Sequence, residues 1–215
     1  MTQSGHAGVF VSFEGIDGSG KSTQARALAD RLRAQGHDVV LTREPGGAAG
    51  AEDIRRLLVE GDPDRWSPET EILLFNAARR DHLEKTIRPA LAAGQIVVSD
   101  RFADSTRVYQ GTARASLRPL VDKLHDLVIG IDPELTFLID MDPQAALARG
   151  LARHSGEDRF EELGAEFQTR LRAGFLTLAQ AHPERIRVID GAYPPELVAD
   201  RIETEMRDWL RARAA

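Results

Sequence analysis

Short apolar runs alternate along this chain with longer segments whose hydrophobic residues recur every three to four positions. The runs Val9–Phe13, Asp38–Thr42, Ile96–Ser99, Leu135–Asp140 and Arg187–Asp190 are each of strand length. Such alternation predicts parallel strands joined by crossover helices. Gly36 is placed to end the first helix, since glycine accepts the left-handed C-terminal position. A long helix is predicted to begin at Ser67-Pro68-Glu69, with Ser67 as the cap and Pro68 in the first turn. It runs through Ile72-Leu73-Leu74-Phe75 towards Leu91 and stops near Gly94. Pro89 predicts a kink or an earlier end. A final helix over about Pro195–Arg213 carries Leu197, Val198, Ile202, Met206, Trp209 and Leu210 at helical spacing, a stripe that reads as core or subunit contact.

Composition narrows the class. With 215 residues, 42% of them hydrophobic, the chain suits one α/β domain with a sizeable core, or at most two small ones. A formal net charge of −6 argues against a general grip on nucleic acid, although it allows a local arginine cluster. The absence of cysteine excludes disulfides, thiolate metal sites and a cysteine nucleophile. Met1–Gly8 is short and polar, without signal-peptide character, and no stretch approaches a membrane span. The expected location is cytoplasmic, with no membrane partner.

The candidate chemistry begins at Gly15-Ile16-Asp17-Gly18-Ser19-Gly20-Lys21-Ser22. These residues fit the phosphate-binding pattern G-x-x-x-x-G-K-[ST], and they follow a predicted strand and precede a predicted helix, as the motif requires. Glycines let the backbone curl with its N–H groups turned inward, and the new helix adds its positive end. Lys21 suits the outer phosphates of a nucleoside triphosphate, and the Ser22 hydroxyl suits Mg²⁺. Ile96-Val97-Val98-Ser99-Asp100-Arg101 is an apolar strand ending in a carboxylate, the place where such loops find a partner near the metal. Thr42-Arg43-Glu44-Pro45-Gly46-Gly47 brings an arginine and a glutamate to the same sheet edge, and Arg55 follows one or two helical turns later. Phe75 and Arg79 share a helix face, and an aromatic ring beside a guanidinium suits a planar base; taken alone, a phenylalanine on an apolar helix face reads more often as core. Ser105-Thr106-Arg107-Val108-Tyr109-Gln110-Gly111 adds hydroxyls, a phenol and an amide. The histidines at 37, 82, 125, 154 and 182 have neither metal spacing nor a serine partner and read as surface or structural.

Taken together, Phe13–Ser22, Thr42–Gly47, Phe75–Arg79, Asp100-Arg101-Phe102 and Tyr109-Gln110-Gly111 resemble the bacterial thymidylate kinase family over nearly the whole chain. The resemblance implies a P-loop NTPase fold, with a five-stranded parallel sheet surrounded by helices, forming one nucleoside monophosphate kinase domain over residues 1–215 with a short lid at about 149–162. It implies transfer of the γ-phosphoryl group of ATP to dTMP, giving dTDP, with Mg²⁺, and a homodimer. Residues 15–22 would hold the ATP phosphates, and Ser22 and Asp100 would attend the metal. Phe75 would stack on thymine and Arg79 would hydrogen-bond its edge. Arg101 would hold the dTMP phosphate, with Arg43, Glu44 and Arg55 shaping that pocket. Asp17 would meet the sugar 3′-hydroxyl and Tyr109 would crowd the 2′ position, while Ser105, Thr106 and Gln110 would line the base pocket. Lys21, Arg101, Asp100 and Arg153 would carry the catalysis.

Two rival readings keep the loop but change the task. A deoxynucleoside kinase would need a carboxylate base for a neutral 5′-hydroxyl, and a regulatory ATPase would need no base-shaped second pocket. A further feature concerns the loop itself. Some family members carry a basic residue just after the loop aspartate; here that position is Gly18, and a lid arginine is implied in its place. Arg153 is the choice, with Arg149 and Arg159 as neighbours able to substitute. Arg153→Ala should therefore lower kcat far more than it weakens dTMP binding, as steady-state kinetics beside calorimetric titration would establish; near-wild-type turnover would sink the assignment.

Overall fold

A computed structural model of the chain describes residues 8–62, 65–113, 117–151 and 164–214. Five parallel strands, β1 (Val9–Glu14), β2 (Val39–Arg43), β3 (Ile96–Asp100), β4 (Leu135–Asp140) and β5 (Ile186–Asp190), form one sheet in the order β2-β3-β1-β4-β5. The predicted runs are all present, with ends shifted by one residue at four of the five strands. Parallel pairing needs crossovers, and helices supply them: α1 (Lys21–Ala34), α2 (Ala49–Val59), α3 (Pro68–His82), α4 (Arg88–Ala92), α5 (Ala103–Ala113), α6 (Arg118–Leu124), α7 (Pro143–Leu151), α8 (Gly164–Ala181) and α9 (Pro195–Ala214).

Strand side chains alternate between two covered faces. Val9, Val11, Phe13, Phe137 and Ile139 pack with Ala25 and Leu28 of α1 and with Val198, Ile202 and Met206 of α9. On the opposite face Phe10 and Val97 meet Leu83, Ile87, Phe102 and Ile129, while Leu138 and Ile186 meet Leu171, Phe175 and Leu178 of α8. The stripe predicted on the last helix is thus largely core. Its Leu197 is the exception, 51% exposed.

Ser67 caps α3 as expected, accepting a hydrogen bond from the Thr70 amide at 3.2 Å. The long helix is interrupted rather than ended: α3 gives way after His82 to a π-helical turn over Leu83–Ile87, and α4 follows with Pro89 in its first turn, the backbone staying helical throughout. The wider turn sets the hydrogen bonding back one residue, Arg88 N donating to Leu83 O, just before the proline that has no donor to give.

Ile202 is fully buried between α9 and the sheet. Ile202→Ala should destabilise the fold by about 2–5 kcal/mol, read from urea unfolding, because the cavity adds to the lost burial.

Candidate active site

Parallel strands all point their carboxyl ends to one edge, and there a cleft of about 880 Å³ opens. Its walls come from the loops after β1, β2 and β3 and from α3 and α5.

The loop after β1 wraps around its own lysine. Lys21 Nζ donates to the Ile16 carbonyl at 2.7 Å and lies 3.9 Å from Asp17 Oδ1. Gly20 leads into α1 at φ 100, and Gly15 has φ 139 with Ile139 O only 2.6 Å from where a Cβ would sit. Both positions therefore require glycine. Burial pushes the Lys21 ammonium down to about 8, against the pull of Asp17, Asp100 and Glu14. Asp17, Gly18, Gly20, Lys21 and Ser22 line the cleft, while Gly15, Ile16 and Ser19 are buried.

The turn after β3 meets this loop. Arg101 sits in the left-handed region at φ 71, a conformation that costs a side-chain-bearing residue about 1–3 kcal/mol. Three bonds hold the turn: Arg101 N donates to Phe13 O at 2.9 Å, Ser99 Oγ to Arg101 O at 2.7 Å, and Phe102 N to Glu14 Oε1 at 2.8 Å. Ser105 Oγ donates to the other Glu14 oxygen at 2.6 Å. So aimed, the Arg101 guanidinium pairs with Asp17 and donates to Ser105 Oγ at 3.0 Å, and Tyr109 Oη donates to Asp17 Oδ2 at 2.8 Å. Burial works to raise the Asp17 carboxyl, but Arg101, Lys21 and the Tyr109 hydroxyl outweigh it and hold it below its ordinary range. The far side of α5 is tied down separately, with buried Asp104 gripping Arg107 at 2.7 Å and Arg185 at 2.6 Å.

Across the cleft, Phe75 and Arg79 both line the wall. Arg79 Nε donates to Glu44 Oε2 at 2.7 Å, and Nη2 donates to Thr106 Oγ1 at 2.9 Å and to Phe102 O at 3.2 Å. Glu44 gives its second oxygen to His82 Nδ1 at 3.0 Å. Thr106 is thus engaged with Arg79, and Gln110 lines the cleft nearby. Exposed Arg43 pairs with Glu52 at 3.1 Å, and Arg55 Nη1 donates to Pro45 O at 2.6 Å.

Oxygen donors for a hard cation converge at the loop. Ser22 and Asp100 both line the cleft, and Asp100 Oδ1 is buried without a hydrogen-bond partner among the described residues. No cluster of three or more metal-ligating side chains exists among those residues. One hydroxyl and one carboxylate fit a cation that arrives with phosphates, as Mg²⁺ does.

The predicted site residues within the described chain therefore converge on one edge. Arg153 and Arg159 lie outside the described residues. Arg149 ends in the last turns of α7, where Nη1 donates to Gly191 O at 3.3 Å. Glu14 and His82 were not among the expected site residues. One signal for each is present in the sequence: a carboxylate closing an apolar strand, and a histidine three positions after Arg79 on the same helix face.

Burial, with Asp104 nearby, pushes Glu14 up to about 7 from 4.5. The folded state then binds the proton more tightly than the unfolded chain, so this group's contribution to stability is full below about 4.5 and is lost as pH rises through about 7. Relative to Glu14→Gln, the wild type should lose on the order of 2 kcal/mol between those limits in urea titrations; parallel pH curves for the two proteins would contradict it.

Comparison with known proteins agrees with this geometry. The sequence matches the family described as thymidylate kinase over residues 13–202. It is 70% identical to the thymidylate kinase of Dinoroseobacter shibae over 203 residues, covering 94% of this chain and 97% of that one. It is 66% identical to that of Ruegeria pomeroyi, covering 89% and 91%. The fold superimposes on the crystal structure of thymidylate kinase from Ehrlichia chaffeensis with a TM-score of 0.76 at 36% identity, covering 94% of this chain and 99% of that one. The chain belongs to the thymidylate kinase family.

Proposed function

We propose that this protein transfers the γ-phosphoryl group of ATP to dTMP, yielding dTDP for dTTP synthesis, with Mg²⁺ as the metal. The observation that carries the reading is the pairing of a phosphate loop with a second, base-shaped wall in one cleft, joined through Asp17 and Arg101.

In this reading the loop 15–22 cradles the ATP phosphates through its backbone amides, and Lys21 leaves the Ile16 carbonyl to meet the outer ones. Phe75 stacks on thymine and Arg79 donates to its edge, with Ser105, Thr106 and Gln110 around the base. Arg101 grips the dTMP phosphate with the planar fork that suits two oxygens at once, and Arg43 and Arg55 add positive charge beside it. Asp17 meets the 3′-hydroxyl, and Tyr109 fills the space a 2′-hydroxyl would need. Ser22 and Asp100 would hold Mg²⁺, which when bound neutralises charge on the transferring phosphate.

No general base is required. A phosphate monoester has its second pKa near 6 and is already anionic at neutral pH, so the residues' task is to bring two anions together and stabilise the charge that redistributes. This separates the reading from a deoxynucleoside kinase, whose hydroxyl acceptor must lose a proton. Glu14 offers no such base at the cleft, being 1% exposed with both oxygens engaged.

The same reading takes the chain as one kinase domain with a lid near 149–162, cytoplasmic and homodimeric. Exposed Leu73 on α3, and Leu127 in a second π-helical turn, His125–Ile129, against it, support the dimer; no described helix is long and apolar enough to cross a membrane.

A coupled assay with ATP and Mg²⁺ across dTMP, dUMP, dCMP, dGMP and thymidine tests reaction and acceptor together. dTMP should exceed dCMP and dGMP by at least about a hundredfold in kcat/KM, since a site built to hydrogen-bond one edge rejects a mismatched one. A preference for thymidine over dTMP would overturn the proposal.

A further inference from the structure

One buried chain of side chains in the cleft wall has no part in the phosphoryl transfer just described. His82 closes α3 and is 0% exposed. Its Nε2 lies 2.7 Å from Thr42 Oγ1 at the end of β2, and its Nδ1 lies 3.0 Å from Glu44 Oε1. Glu44 Oε2 in turn takes Arg79 Nε at 2.7 Å. The relay thus runs Thr42, His82, Glu44, Arg79, and ends at Thr106 on α5 and at the Phe102 carbonyl just before it.

The tautomer follows from the partners. A carboxylate accepts only, so Nδ1 must carry a proton for this contact, while the Thr42 hydroxyl can donate to Nε2. Both ring nitrogens are then satisfied. A second observation concerns space. A Cβ on Gly47 would fall 2.4 Å from His82 Nε2 and 2.5 Å from Thr42 Oγ1, and Thr86 Oγ1 on the π-helical turn donates to Gly47 O at 2.7 Å. The loop after β2 thus closes directly onto the imidazole.

The effect falls on Arg79. A carboxylate bound only to Nε could swing about that one bond. Holding its other oxygen fixes the carboxylate plane, and with it the guanidinium plane, whose Nη2 is committed to α5. Nη1 is then the nitrogen uncommitted among the described residues. We propose that His82 is a positioning residue for base recognition, acting through Glu44 to hold Arg79 so that Nη1 donates to the acceptor's base. Thymine offers a carbonyl at C4 where cytosine offers an amino donor, so a rigidly held donor selects the first. This inference rests on the dTMP reading and deepens it.

Side-chain amides separate the two contacts of His82, since an asparagine nitrogen mimics Nδ1 and a glutamine nitrogen mimics Nε2. In the full-length protein His82→Gln should raise KM for dTMP by about tenfold and erode the preference over dCMP, with kcat and KM for ATP within about twofold. His82→Asn should stay within about threefold of wild type in KM for dTMP. In an Arg79→Ala background His82→Gln should add no more than about twofold, because its route is already cut. The nucleotide-free protein gives a readout that needs no substrate: the Arg79 Nε–H resonance in NMR should be protected from exchange in wild type and His82→Asn, and unprotected in His82→Gln. Unchanged KM for dTMP in His82→Gln, equal losses in both variants, or full additivity with Arg79→Ala would each overturn the proposal. Should one variant fail to fold, the other decides alone: His82→Asn with a tenfold higher KM or an unprotected Nε–H also overturns it. If wild type ignores dTMP in the acceptor panel, the substrate reading fails while the resonance still decides the positioning.

Discussion

The cleft depends on one constraint, the left-handed turn at Arg101 and the Glu14 carboxylate that holds it. A parallel sheet delivers β1 and β3 side by side, with Phe13 opposite Asp100. Glu14 then spans the gap, one oxygen on the Phe102 amide and one on Ser105. That grip works beside the Arg101 amide's bond to Phe13 O and the packing of Phe102 on Phe10, which join the same turn to β1. With it in place, the guanidinium of Arg101 points at the phosphate loop and meets Asp17. The strain at φ 71 is local, and the surrounding hydrogen bonds offset it. Burying a carboxylate to hold two neutral donors is also costly, which is why Glu14 binds its proton so readily.

The same logic extends to the cations. Arg79 and Arg101 are paired before any anion arrives, and Lys21 already lies folded into its loop. Paired buried charges contribute little net stability, so their value lies in preorganisation: dipoles and charges set in place need not reorganise when phosphate charge shifts. The two halves of the cleft differ in how they achieve it. At the phosphate loop, Asp17 and Tyr109 hold Arg101. At the α3 wall, Glu44 holds Arg79 from behind, with His82 behind Glu44. An exposed guanidinium would have sampled many rotamers at this position; Arg79 has essentially one.

Much of this was legible in the residue order. The central strands β1, β3 and β4, buried on both faces, read as apolar runs; the partly exposed edge strands β2 and β5 were also found, and ends differed by one residue at four of the five. The phosphate loop is local, with every needed residue within Gly15–Ser22, and Pro89 marked the break in the long helix. What escaped notice depends on partners far along the chain. Glu14 meets Phe102 and Ser105, and His82 meets Glu44, at separations that no periodicity encodes. A glutamate ending an apolar strand, and a histidine three positions after Arg79 on the same helix, are weak signals until folding supplies the other side. Glu44 shows the difference most clearly. Grouped by sequence with the substrate-binding residues, it spends both oxygens on Arg79 and His82, so its bearing on the acceptor runs through the arginine.

The most direct test of the joined donor and acceptor sites is a crystal structure with dTMP and a non-hydrolysable ATP analogue bound together with Mg²⁺. The expected result has thymine against Phe75 with its edge at Arg79, the dTMP phosphate on Arg101, and the analogue's phosphates in loop 15–22, the two nucleotides facing each other across Lys21. A dTMP phosphate bound away from Arg101, or a base seated outside the wall formed by Phe75 and Arg79, would contradict it.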